Sequence, residues 1–144
     1  MKAVRPVCVA AHSFSRGVPR RDLRLSPDHA VYVDGVLIPI KYLINGISIV
    51  QTRINSVQYF HLELDRHDVI LAEGLPAESY LDTGDRFSFD NAGGVMTLHP
   101  EWRRPDVMIM WEALGFAPLR IAGPEIVKLR RRLAARANRL RAAA

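Results

Sequence analysis

Leu25-Ser26-Pro27-Asp28-His29-Ala30-Val31-Tyr32-Val33-Asp34-Gly35-Val36-Leu37 is the stretch on which the reading of this chain turns. A hydroxyl residue stands three positions before a histidine, and the apolar run Ala30 to Val33 follows at once, ended by Asp34-Gly35. The spacing predicts that Ser26 and His29 share one short turn, where a hydroxyl and an imidazole can face one polarised peptide carbonyl. A turn started by Ser-Pro-Asp, with His29 satisfying a backbone group at a strand entrance, accounts for the same residues without chemistry. Asp-Gly between two apolar runs is a two-residue hairpin signal, because both central residues of that turn need positive φ.

The same signal recurs at Asn45-Gly46, between Lys41-Tyr42-Leu43-Ile44 and Ile47-Ser48-Ile49-Val50, so the first half reads as a β meander. From Ser56 to Ala72 Tyr59, His61 and Glu63 alternate with Phe60, Leu62 and Leu64, which predicts an apolar set on one side of a strand. A bend at Arg66-His67 then leads into a strand over Asp68 to Ala72, and Leu75 to Leu81 reads as a short helix or turn. Thr83 to Arg104, rich in Gly, Asp, Asn and Pro, reads as irregular structure, and Trp102 and Trp111 read as anchors of the later segment to the core.

The C-terminal segment has the punctuation of a helix. Gly123 precedes it, Pro124 suits the first helical position, Glu125 meets the positive end of the dipole, and arginines fill the last turns. Ile126, Leu129, Leu133, Ala137 and Leu140 recur at intervals of three and four, which predicts one narrow apolar stripe. Seven cations (Lys128, Arg130, Arg131, Arg132, Arg136, Arg139 and Arg141) against Glu125 give Pro124 to Ala144 a surplus of six, so the other 123 residues carry a net −1 of the +5 total. The basic character therefore belongs to the tail. It allows a docked surface helix with arginines in water, or a helix that grips an anionic partner. Nucleic acid is not an expected partner, because neither interleaved aromatics nor a recognition motif accompanies the charges.

With 144 residues, 49% of them hydrophobic, the chain can bury a core of its own. A single cysteine, Cys8, excludes an internal disulfide framework and suits a reducing compartment, the cytoplasm among them. The apolar stretch Pro6 to Ala11 is too short for a signal sequence, and no run is long enough for a membrane span. His61, Glu63, Asp65, His67 and Asp68 offer metal donors, but strand alternation of this kind usually marks a solvated face, and no metal or other cofactor is expected.

The block around Ser26 and His29 resembles the Thr-x-x-His block of Hint domains, the self-processing module of hedgehog proteins and inteins, with Ser26 where threonine is usual. A second block, Tyr59 to Tyr80, resembles the closing blocks of that family: a strand, a histidine, then a hydrophobic strand ending in glycine. His67 matches the histidine before the final strand, and His61 lies where many inteins carry an acidic residue. The stretch from about Arg5 to about Phe89 resembles the later part of the bacterial Hint subgroup. The resemblance implies autoproteolysis by an N-to-S acyl shift, with His29 as acid/base, Ser26 as peptide positioner, and His61 and His67 as supporting groups.

Such a domain starts with a nucleophilic cysteine, and Cys8, in the strand-like Pro-Val-Cys-Val-Ala, does not resemble that block. The chain is thus expected to be the C-terminal portion of a Hint domain, inactive by itself, whose partner is a missing N-terminal segment or the rest of its own precursor. The His-Asn end used in splicing is replaced by Ala77-Glu78-Ser79. The expected architecture is mostly β, with a Hint-like domain over 1–90, an irregular segment over 91–122 and the basic amphipathic helix over 123–144. The alternative is a non-catalytic binding module that uses that helix.

Overall fold

Strand β3, Ala30–Val33, lies inside a four-stranded antiparallel sheet in the order β4-β3-β7-β6, where β4 is Val36–Pro39, β6 is Val69–Ala72 and β7 is Leu75–Glu78. Three shorter strands, β1 (Val7–Val9), β2 (Leu23–Leu25) and β5 (Ile49–Gln51), form a second antiparallel sheet in the order β2-β1-β5. One helix, α1, spans Pro124–Ala142. This computed structural model describes residues 5–60, 62–79 and 115–144.

The β3–β4 hairpin forms as its turn residues require. Asp34 and Gly35 take φ of 52° and 86°, and the register sets Val33 opposite Val36 and Val31 opposite Ile38. Glu73 and Gly74 repeat the geometry, with φ of 52° and 84°, and join β6 to β7. Leu75 to Glu78 is therefore a strand, where a short helix or turn was expected. The carbonyl of Glu73 accepts from the Arg20 N–H at 2.8 Å and its carboxylate pairs with Arg21, which holds the turn against the N-terminal segment. Pro76 has no N–H to give, in keeping with a β7–β3 ladder in which Val31 opposite Ala77 is the one recorded pair.

The expected meander does not form. Pro39 ends β4, and Ile40–Leu43 coils into a single 3₁₀ turn that buries Ile40 and Leu43, three residues apart, on one side. Asn45 does not seat a hairpin. Its Oδ1 accepts from the N–H groups of Ile47, Ser48 and Ile49 at 2.9, 2.9 and 3.0 Å, so the side chain organises the loop and sends β5 to pair with β1 in the other sheet. No strand runs between β5 and β6 among the described residues. The alternation of Phe60, Leu62 and Leu64 finds no ladder there, and these three side chains lie exposed.

Both sheets and the helix share one core. Val7 and Val9 on β1, Leu25, Val31, Ile38, Ile49 and Leu75 cluster with Ile126, Leu129 and Leu133 of α1. The helix is laid down by its stripe, as its spacing predicts, with Ala137 buried as well and Leu140 half-buried. Arg132 reaches Asp34 at 3.1 Å, and Arg136 Nε donates to the His12 carbonyl, so two cations fasten the flank of the helix to two loops. Leu119 runs beside Leu37 with two backbone bonds, Leu37 N–H to Pro118 and Arg120 N–H to Leu37, each 2.8 Å, which covers the outer edge of β4. Trp102 and Trp111, and most of the expected irregular segment, lie outside the described residues.

Because Leu133 is 1% exposed within this shared core, Leu133→Ala is expected to cost about 2–5 kcal/mol, whereas Arg139→Ala on the solvent side stays within about 0.5 kcal/mol. Urea unfolding of the two variants checks this, and equal midpoints would mean that α1 does not pack on the sheets.

Candidate functional site

Ser26 directly follows β2 and His29 stands at the entrance to β3, joined by a tight turn in which the His29 N–H donates to the Ser26 carbonyl at 3.0 Å. Pro27 pre-sets φ at the second position of that turn. The 3₁₀ segment then clamps it: Ile40 N–H donates to the His29 carbonyl at 2.9 Å and Lys41 N–H to the Pro27 carbonyl at 3.0 Å. Lys41 Nζ also pairs with Asp28 Oδ1 at 2.5 Å in a partly buried position. Ser26 is 2% exposed, and its Oγ has no hydrogen-bond partner among the described residues. His29 is half-buried.

The second block arrives at the same place through β7. His67, immediately before the β6 segment, is buried, and its Nδ1 accepts from the Phe116 N–H at 2.8 Å. That bond places the proton of the neutral ring on Nε2, which faces Glu78 Oε2 at 3.5 Å. At this length the approach is an electrostatic contact rather than a short directional bond. Glu78, at the end of β7, is itself buried, and its other oxygen, Oε1, accepts from the Ala30 N–H at 2.7 Å. One carboxyl therefore joins His67 to the peptide that follows His29. The backbone under it is fixed by Ser79, whose N–H donates to the Asp68 carbonyl at 2.8 Å and whose Oγ accepts from the Asp68 N–H at 2.9 Å.

Of the residues that the sequence singles out, the structure thus brings Ser26 and His29 onto one turn and ties His67 to that turn through Glu78, a residue noted in sequence only as replacing a splicing end. Nothing local in the sequence marks it, since its burial between Ala77 and Ser79 appears only in the fold. His61 lies outside the described residues. Among the described residues no three His, Cys, Asp or Glu side chains come together as a metal-holding group. Nor is any described helix long and apolar enough to cross a membrane.

A family model described as the Hint domain matches residues 1–84 of the 144. The chain belongs to the Hint domain family. Both sequence blocks that resemble the family fall within the match, and the mostly β architecture agrees with the Hint fold. No curated protein and no solved structure matches the chain.

Two electrostatic features shape what this Hint domain can do. Burial pushes the Cys8 thiol upward, Asp22 adds to the rise, and Arg24 opposes it, so Cys8 is not held as a ready thiolate. Burial likewise pushes the Glu78 carboxyl above the ordinary carboxylate value, against the pull of His67 and the Ala30 N–H, with Asp28 adding to the rise.

Two outcomes follow from these shifts. Alkylation of Cys8 by iodoacetamide, followed by mass spectrometry, should be slower than that of a free cysteine peptide at the same neutral pH; equal rates would contradict its raised thiol. A carboxyl held higher in the folded than in the unfolded state contributes its full stability below the unfolded value of about 4.3 and loses it as pH rises through the folded value. In urea titrations the wild type should therefore lose stability relative to Glu78→Gln as pH rises from about 4 to about 7. Parallel profiles would mean that folding does not perturb Glu78.

Proposed function

We propose that this Hint domain serves autoproteolytic processing by an N-to-S acyl shift, with His29 as the acid/base and Ser26 as the residue that positions the reacting peptide. The observation that carries this reading is the Ser26 hydroxyl: 2% exposed, without a partner among the described residues, on a turn held by backbone bonds beside a half-buried histidine. Leaving a buried hydroxyl unpaired costs about 1–3 kcal/mol, which favours a group kept for a peptide that is not part of the resting fold. His67, and His61 by family resemblance, act as supporting groups.

In the reaction a cysteine thiolate attacks the carbonyl carbon of the residue before it. The proton given up by the thiol is held by His29, the C–N bond breaks, the amide nitrogen takes that proton from the His29 imidazolium and leaves as the amine, and a thioester forms. An external thiol then releases the N-terminal fragment by thiol–thioester exchange. Cys8, held as a thiol in a sheet and the only cysteine of the sequence, is a poor candidate for that nucleophile. The attacking thiol thus comes from a segment beyond these 144 residues, either of the same precursor or of a separate N-terminal fragment. Without it the chain is inactive.

Joined to an upstream Hint segment with a leading cysteine, the chain should undergo dithiothreitol-induced cleavage. His29→Ala should slow this by about 10²–10⁴-fold, the range for loss of a positioned general acid. Ser26→Ala should slow it by a smaller factor, since proton transfer remains. Cleavage that is equally fast in His29→Ala would overturn the assignment.

A further inference from the structure

We propose that Glu78 is a positioning residue of this site, which sets the ring orientation of His67 and, through the Ala30 amide, the backbone on which His29 stands. What the positioned groups then do rests on the self-processing reading above; the positioning itself does not. The two oxygens of the carboxyl are divided between two segments far apart in sequence, with Oε1 2.7 Å from the Ala30 N and Oε2 3.5 Å from His67 Nε2. Neither contact can be exchanged by rotating the imidazole, because the opposite ring nitrogen is already occupied by the Phe116 N–H at 2.8 Å. A flip would set the ring carbons Cδ2 and Cε1 where the two nitrogens stand, against the Phe116 N–H and the Glu78 carboxyl, and lose both interactions.

The location of Glu78 argues against a role confined to stability. Val69 lies opposite it on the ladder, the neighbouring Ala77 is fully buried, and a small apolar side chain would end β7 without a desolvation cost. Burying an ionisable carboxyl is rarely the most stable solution when a hydrophobe would fit. Three consecutive backbone groups around the histidine of the turn are fixed, the third of them by this strand end. The His29 N–H goes to Ser26, the His29 carbonyl to Ile40, and the next N–H, that of Ala30, to Glu78. The first two anchors are backbone. Only the third is a titratable side chain, and it is the one shared with His67. The groups that face Glu78 electrostatically are His67 and Asp28, and Asp28 is paired with Lys41.

Long-range ¹H–¹⁵N spectra of the histidine rings and the amide spectrum of the full chain test this without any cleavage assay. In the wild type the neutral His67 ring should carry its proton on Nε2, and Ala30 should show the downfield amide shift of a short bond to a carboxylate. Glu78→Gln keeps an acceptor for Ala30 but sets an NH₂ against His67 Nε2–H, so the Nε2–H and ring-carbon resonances of His67 should shift while the tautomer, fixed by the Phe116 N–H, stays and the Ala30 amide shifts little. Glu78→Ala should disturb both. In the cysteine-led precursor Glu78→Gln should slow cleavage by about 10–100-fold, by analogy with the partners that orient metal-bound histidines, and Glu78→Asp should recover part of that loss.

A folded Glu78→Gln whose His67 Nε2–H and ring-carbon resonances are unchanged would overturn the proposal. So would an Nδ1–H tautomer in the wild type, which decides the matter even where the variants do not fold. A wild-type precursor that fails to cleave while these spectra come out as expected would count against the self-processing reading alone.

Discussion

A buried carboxyl is the constraint on which the arrangement of this Hint domain depends. Glu78 has little access to water, so either ionised or neutral it must find its partners inside the protein. The available partners are the first amide of β3 and the imidazole ahead of β6. Satisfying both requires β7 to lie between β3 and β6, which is the observed strand order. The Ser79–Asp68 pair continues the hairpin one step beyond the ladder and keeps the end of β7 from fraying where the carboxyl is needed. The Phe116 N–H then completes His67 from the far side, and the Phe116 ring stands edge-on to Tyr32 of β3 at 5.4 Å. A residue well outside the stretch that matches the family thus takes part in holding its histidine.

The basic tail acquires a different meaning once its packing is known. The helix contributes Ile126, Leu129 and Leu133 to the cluster that also contains Val7, Val9 and Val31, so its apolar stripe is already used. A membrane-surface helix buries that same stripe in lipid, and here it is not available for the purpose. The cations that remain are the outer face of a core element. Two of them, Arg132 and Arg136, act locally by reaching Asp34 and the His12 carbonyl. The high charge of the tail is in this sense partly a consequence of docking: a helix that lends one side to the core keeps its charges on the others.

Local signals were legible and long-range ones were not. Asp34-Gly35 and the helix punctuation at Gly123-Pro124 act within a few residues, and both elements stand where the sequence places them. Asn45-Gly46 has the same dipeptide grammar, yet the Asn45 side chain captures three amides and β5 finds its partner in β1, some forty residues earlier in the chain. Glu73-Gly74 makes the hairpin turn although Glu is not a usual first residue for it, since an exposed pairing with Arg21 and the Arg20–Glu73 backbone bond support the positive φ. In the site, the Ser26–His29 spacing sufficed because it is a turn. Glu78 could not be read as a site residue, because what matters about it is burial against a strand forty-eight positions away.

The two halves of the site differ in how they are held, and the difference fits the chemistry proposed for them. Around Ser26 and His29 the turn is closed by backbone bonds, which do not titrate, with the Lys41–Asp28 ion pair beside them, and the Ser26 Oγ hydroxyl is left without a partner among the described residues. Around His67 the restraint is a carboxyl that burial has already pushed upward, so that half responds to a proton. Under the proposed acyl shift, a histidine that gives a proton and keeps its place is best mounted on a scaffold that does not change charge with it. The Ser26-Pro27-Asp28-His29 turn provides such a mount, while the carboxyl of Glu78 lies one peptide further on, close enough to orient the strand and outside the backbone bonds that close the turn itself.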